Sequence, residues 1–393
     1  MNTLILAWAS WFAAFLLPAP TVEVPYFRES VPVTYDPSAL RHDGLASVDE
    51  RGIGDYLSAV EAQDWSPVLG SLAEKRAAWR LNDFLYARLV DATVARIGER
   101  LSENERRITA AHLLALDGFD IRLCYDADEV YVYALTDEPL YEVPIITERD
   151  RRFVNLTSAL RPRDGVTRSL KFHPRDLAAG GRALSFDLTD LPRLPERLSE
   201  RVYEFEYRGE RLKLHAACDL SVVAWMRDYP IVAEGKYVET PLTPATAGRL
   251  HAELRPLLAG KTQREQLELL AAFTRGAFVY KEDRRGYGAS KPMIADEVLH
   301  YPVSDCEDRS ALYFSLVRDL LNLPVVAIAY NDHLSVAVAS AHLTGARPFV
   351  HGGRTYHVCD PTGPAGSSEI GSPPYGYARR RFEVVASYVP TTT

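Results

Sequence analysis

Cysteine is scarce in this chain: Cys124, Cys218, Cys306 and Cys359 are the only four in 393 residues. None stands in a C-x-x-C spacing, so the usual zinc pattern is missing, and four scattered thiols are too few for a disulfide framework. Basic runs are missing as well. Lys and Arg number 45 against 53 Asp and Glu, a net charge of −8, which gives no reason to expect a nucleic-acid partner. No apolar run reaches the roughly 20 residues that a membrane-spanning helix needs. The chain also lacks internal repeats and low-complexity stretches. With 47% apolar and 25% charged residues, it has the composition of a globular protein, long enough for about two or three domains.

The first feature present is Leu4–Leu17, an uninterrupted apolar and small-residue run followed by Pro18-Ala19-Pro20. It suits the apolar segment of a secretory signal peptide over residues 1–20, cleaved near Ala19. The expected location is therefore secreted or periplasmic, in the cell envelope. Membrane attachment would come only through that segment if it is retained.

From Val22 to Ser38 the chain is Pro-rich and extended. Between Gly44 and Leu116, Trp79, Leu81, Phe84, Leu85, Leu89, Ala92 and Ile97 recur near helical period. A second helix starts at Ser102, with Glu105 placed for a capping box, and ends at Gly118. Beyond Gly118 the period changes to two. Phe119–Leu123 and Val130–Ala134 flank Asp126-Ala127-Asp128 as a hairpin. The acids Asp126, Asp128 and Glu129 lack the Gly and distal Glu of an EF-hand and read as a solvated turn. Another hairpin brackets Arg208-Gly209-Glu210. Short strands with turns between them predict a β-sandwich-like module over 151–240, after a helical and β region over 21–150. Asn155-Leu156-Thr157 matches a glycosylation sequon. The Thr240-Pro241-Leu242-Thr243-Pro244 stretch opens a last domain, 241–393, starting with two helices.

That last domain holds the candidate chemistry. The run Ser304-Asp305-Cys306-Glu307-Asp308-Arg309 meets a helix whose apolar positions include Ala311, Leu312, Phe314 and Leu316. Cys306 therefore falls in the first turn, where unpaired N–H groups favour a thiolate and a lowered thiol pKa. His333 follows 27 residues later, at the mouth of the strand Leu334–Ala339, and Asp360 closes the strand that ends Val358-Cys359-Asp360-Pro361-Thr362. A thiol, an imidazole to take its proton and a carboxylate to orient the imidazole form a nucleophile's complement. His357 is the competing imidazole; His342 and His351 are placed less well. Cys359 is expected on the opposite face from the site. Asp305 and Asp308 can pin the helix start. With Cys306 assigned to chemistry, Cys124 with Cys218 is the one bridge left open, against two buried free thiols.

The pattern D-C-x-D-x-[SA]-x-L, a strand-opening His and a strand ending D-P-T resembles the transglutaminase-like superfamily, relatives of papain-type cysteine peptidases. The resemblance spans roughly Leu267–Val385. Ser304 stands where that family usually has Gly, and Leu334-Ser335 follow the histidine where an aromatic is common. The resemblance implies an α+β fold with a papain-like C-terminal core, Cys306 as nucleophile, His333 as general base and acid, and Asp360 as orienting carboxylate. It also points to Tyr280 or Tyr287 for a second oxyanion donor beside the Cys306 N–H. The function it implies is an exported cysteine-dependent hydrolase or acyltransferase acting on amide bonds of proteins or peptides, with no cofactor and no metal. The alternative is an inactive binding or scaffold relative of the cell envelope. The same run also resembles calcium-dependent transglutaminase-like cysteine proteinases of bacteria, though the Asp-Pro-Thr ending suits them less.

Overall fold

Hairpins and helical hairpins alternate along the chain, each built where the side-chain period changes. The computed structural model describes residues 20–161, 169–282, 291–363 and 369–391. The apolar run Leu4–Leu17 and Tyr287 therefore lie outside the described residues. The hairpin β1 (Thr21–Tyr26) and β2 (Glu29–Thr34) packs on α2 (Ser66–Trp79) and α3 (Asp83–Ile97), while α4 (Glu103–Leu116) packs between α3 and α1 (Glu50–Glu61). The Ser102–Glu105 capping box is present at the start of α4.

β3 (Ile121–Tyr125) and β4 (Val130–Leu135) form the centre of a five-stranded sheet. It is completed by β6 (Ile145–Glu148), β7 (Arg151–Asn155) and β8 (Lys171–Phe172), in the order β6-β7-β4-β3-β8. The short β5 (Leu140–Tyr141) lies apart from this sheet. In the β3–β4 turn, Asp126 Oδ1 accepts the N–H groups of Asp128 and Glu129, which explains an acid there without invoking an ion. Asn155 caps α5 (Leu156–Leu160), accepting from Ser158 N at 2.9 Å, and is 3% exposed. A glycan has no room at that sequon.

The 151–240 stretch is not a sandwich of its own. β7 and β8 belong to the first sheet, whereas β9 (Leu198–Tyr207) and β10 (Glu210–Asp219) make a separate two-stranded hairpin. Tyr203, Phe205, Tyr207, Leu214 and Ala216 lie buried on one face of this hairpin, against α8 (Pro244–Leu258) and α9 (Gln263–Gly276). Glu204, Glu206 and Lys213 point to solvent. A period of two specifies that one face is buried, but not whether a sheet or a helix covers it. Here helices do. The two-residue turn Arg208-Gly209 has positive φ at both positions, the geometry whose twist matches the strands.

The chain then returns to the first core. Trp225 and Met226 of α6 (Leu220–Met226) join it, and β11 (Ile231–Val232) pairs with β5. α7 (Glu234–Glu239) leads into the second core, which α8 and α9 begin. After them come β12 (Val279–Tyr280), α10 (Ala295–His300), β13 (Val303–Ser304) and α11 (Cys306–Leu316). The strands β14 (Val325–Tyr330), β15 (His333–Val338), β16 (Phe349–His351), β17 (Arg354–Val358) and β18 (Glu383–Tyr388) form an antiparallel sheet in the order β16-β17-β15-β14-β18. Val325, Ala327, Leu334, Val336 and Val338 face α11 and the helical core. Val326, Ile328, Ala337 and Val358 pack on the other face. The fold is α+β. No helix among the described residues is long and apolar enough to cross a membrane. All four cysteines are buried and unbridged.

His112 of α4 makes stability depend on pH. Burial, with Arg175 nearby, pushes its imidazole down to about 4 from 6.5. The unfolded chain therefore takes up this proton before the folded protein does. Stability is complete above about pH 6.5 and falls towards pH 4, by up to about 3 kcal/mol. Urea unfolding at pH 7 and pH 4.5 should show a smaller loss for His112→Gln than for the natural chain. Equal losses would remove His112 from the account.

Candidate active site

The start of α11 is held by its own acids. β13 runs parallel to β12, with Ser304 opposite Tyr280, and delivers the chain to Asp305 in an extended conformation. Asp305 Oδ1 accepts from Asp308 N at 3.4 Å, and Asp308 Oδ2 accepts from Asp305 N at 3.0 Å. Asp308 Oδ1 also accepts from Met293 N at 2.9 Å. This reciprocal cap fixes the turn that presents Cys306 as the first residue of the helix, 8% exposed.

Sheet register brings the other two residues together. His333 lies across from Tyr330 at the β14–β15 turn. On the far side of β15, Ala337 pairs with Val358, and Cys359 N donates to Val336 O at 2.7 Å. Continuing that register sets Asp360 beside Ser335. His333 Nε2 and Asp360 Oδ1 are 3.0 Å apart. Ser335 Oγ donates to Asp360 Oδ1 at 3.0 Å, and Thr362 Oγ1 reaches both carboxylate oxygens at 3.0 Å and His333 Nε2 at 3.4 Å. Burial alone would raise the Asp360 carboxyl, but His333, Ser335 and Thr362 outweigh it and hold the group below the ordinary carboxylate range. With Nε2 engaged, Nδ1 is the nitrogen on the other edge of the ring.

The first turn of α11 packs on the mouth of β15. Ser310 Oγ donates to Leu334 O at 3.1 Å, and the Leu334 N–H, one residue past His333, acts to lower the Cys306 thiol pKa. His357 sits opposite Val338, at the other end of β15. Cys359 is fully buried in the helical core, on the face away from His333. The rings of Tyr377 and Tyr330 lie 4.9 and 6.3 Å from the His333 ring.

The thiol's electrostatics depart from the sequence expectation. Cys306 Sγ donates to Glu307 Oε2 at 2.9 Å. Burial, the Glu307 charge and hydrogen bond, and Asp305 push the thiol well above its ordinary range, outweighing the Leu334 N–H. The helix N-terminus favours a thiolate, yet two carboxylates at the same place oppose it. One donor atom each from Asp305, Cys306 and Glu307 lies within 4.8 Å of the others, the one such trio among the described residues. Asp305 is itself pushed up by burial and by Glu307.

Four further residues shape the site without having been assigned a role from sequence. Besides Glu307, Ser335 and Thr362, there is Arg309, 2% exposed. Its Nε donates to Ser304 Oγ at 3.0 Å, Nη1 to Thr362 O at 2.7 Å and Nη2 to Phe278 O at 2.7 Å. The guanidinium also lies 5.1 Å from the Tyr280 ring centre. Ser304 is thus an anchor for Arg309. A signal was present: a basic residue between the acidic first turn and the apolar remainder of the helix. Tyr280, proposed as an oxyanion donor, is 45% exposed. Burial and the neighbouring Cys306, Glu282, Asp305 and Glu307 charges raise its phenol, so it keeps its proton as a donor would. A cavity of about 440 Å³ lies elsewhere, lined by Arg208, Arg264, Glu268 and Arg275; Arg275 donates to the Asp360 carbonyl.

Compared with protein-family models, curated proteins and solved structures, the chain matches none.

Proposed function

We propose that this protein is an exported cysteine-dependent hydrolase or acyltransferase of amide bonds in proteins or peptides, built on a papain-like core similar to transglutaminase-like enzymes. The observation that carries the reading is the His333–Asp360 hydrogen bond of 3.0 Å at the mouth of β15, the strand on which the Cys306 helix packs. Cys306 is the nucleophile. Its S–H proton passes to His333 Nδ1, the sulfur bonds to the carbonyl carbon, and the π pair moves to oxygen. The Cys306 N–H, at the start of α11 with no helical acceptor before it, faces that charge together with the Tyr280 hydroxyl. His333 then protonates the leaving amine, leaving a thioester that water or a second amine resolves. Asp360 keeps the imidazole oriented and stabilises its protonated form.

A second reading, an inactive envelope relative that binds rather than cleaves, draws on the thiol–Glu307 bond, which leaves Cys306 neutral at rest. The two part on whether an acyl group appears on Cys306 during exposure to an activated ester. The first reading expects it on the natural chain and not on Cys306→Ala; the second expects it on neither.

A further inference from the structure

The Cys306 thiol is contested. The helix start and the Leu334 N–H favour an anion, whereas Glu307 Oε2 takes the thiol hydrogen bond at 2.9 Å. The acidic and phenolic neighbours among the described residues fit the same picture. Asp305 lies beside Glu307 on α11, and Tyr280 on β12 and Tyr377 in the turn before β18 both have phenols raised in part by the Cys306 charge. Glu234 on α7 adds a carboxyl towards Asp305. The buried cation Arg309 is committed to Ser304, Phe278 and Thr362. The thiol thus sits in an acidic environment, and among the described residues no Lys or Arg forms an ion pair with Glu307. Glu307, unlike its neighbours Asp305 and Asp308, is only half-buried and can be approached from solvent.

We propose that Glu307 is a further catalytic residue of this site, holding the Cys306 proton at rest and giving it up when a cationic group on the substrate pairs with its carboxylate. The proposal rests on the Cys306–His333–Asp360 reading and names its substrate class: amides carrying a lysine- or arginine-like cation next to the scissile bond. Once Glu307 is paired with that cation, it no longer holds the S–H. The proton goes to His333 Nδ1 while sulfur bonds to the carbonyl carbon. No oxidant or co-reactant is involved.

Methanethiosulfonates of opposite charge probe this without a known substrate. The full chain at pH 7 and low salt is treated with the 2-aminoethyl and the 2-sulfonatoethyl reagent, and Cys306 labelling is followed by peptide mass spectrometry. The natural protein should prefer the cationic reagent by about tenfold or more, since like and opposite charges a few ångströms from a carboxylate differ strongly at low ionic strength. Glu307→Gln should cut that preference to about two- to threefold and speed neutral iodoacetamide by about tenfold. Glu307→Asp, which keeps the charge, should keep the preference. Unchanged rates and unchanged preference in Glu307→Gln would overturn the proposal. His333→Ala separates the two levels. If it slows labelling while Glu307→Gln does nothing, this proposal alone falls. If Glu307→Gln accelerates labelling and His333→Ala has no effect, the triad reading falls, and the hand-off to His333 falls with it.

Discussion

Replacing His333 by Ala should lower the rate of acyl transfer by about 10²- to 10⁴-fold, or roughly 3–5 kcal/mol of transition-state stabilisation. The effect is expected to be large because the Cys306 thiol is not already ionised. Burial, Glu307 and Asp305 hold it in the neutral form, so attack requires a base at the moment the S–C bond forms. His333 is the imidazole whose far nitrogen is fixed by Asp360 at 3.0 Å. Asp360→Ala should slow turnover more than it slows simple alkylation of Cys306. Its part is to orient the ring during proton transfer, and Ser335 and Thr362, which both donate to it, would lose their acceptor. His357→Ala should change neither rate, since His357 lies across from Val338, at the far end of β15. Stopped-flow measurement of acylation by an activated ester provides the check. A large loss in His357→Ala with none in His333→Ala would reverse the assignment.

Arg309→Met should be among the most destabilising single substitutions in this chain, by about 3–5 kcal/mol. The guanidinium satisfies Ser304 Oγ, Thr362 O and Phe278 O from a position only 2% exposed. Methionine would leave those acceptors buried without donors, each costing about 1–3 kcal/mol, partly offset because no charge is then desolvated. Lysine keeps the charge but cannot span three acceptors with a planar fork, so Arg309→Lys should recover less than half of the loss. Urea midpoints at constant m-value measure this. A shift below about 1 kcal/mol for Arg309→Met would mean that the three contacts are dispensable. Because Arg309 holds the carbonyl of Thr362, whose hydroxyl bonds Asp360, Arg309→Lys should also disturb the His333–Asp360 pair before the fold is lost.

What could be read from sequence divides along the range of the interactions concerned. The Ser102–Glu105 cap, the turn at Asp126 and the hairpins around Asp126 and Gly209 depend on residues within a few positions of one another, and the structure contains each of them. The approach of His333 to Asp360 was legible because strand parity and the order of strands constrain it. The partition of residues 151–240 was not. Whether the apolar face of the β9–β10 hairpin meets helices or a second sheet is decided by α8 and α9, farther along the chain. The thiol's environment departs from its sequence pattern for a related reason. A helix N-terminus is visible in sequence and predicts a lowered pKa. The rotamer that turns Glu307 back onto Cys306, and the burial that amplifies its charge, are tertiary facts. Arg309 was legible only as a basic residue after an acidic helix start, because its three acceptors come from three separate segments.

The central claim is that Cys306 carries the acyl group. Exposing the natural chain to a p-nitrophenyl ester, quenching with acid within the burst and mapping the adduct by mass spectrometry tests it most directly. The account predicts one acyl group, on Cys306, lost on treatment with hydroxylamine as a thioester would be, and missing from Cys306→Ala. An acyl group on any other residue, or none on Cys306 while p-nitrophenol is released catalytically, would contradict it.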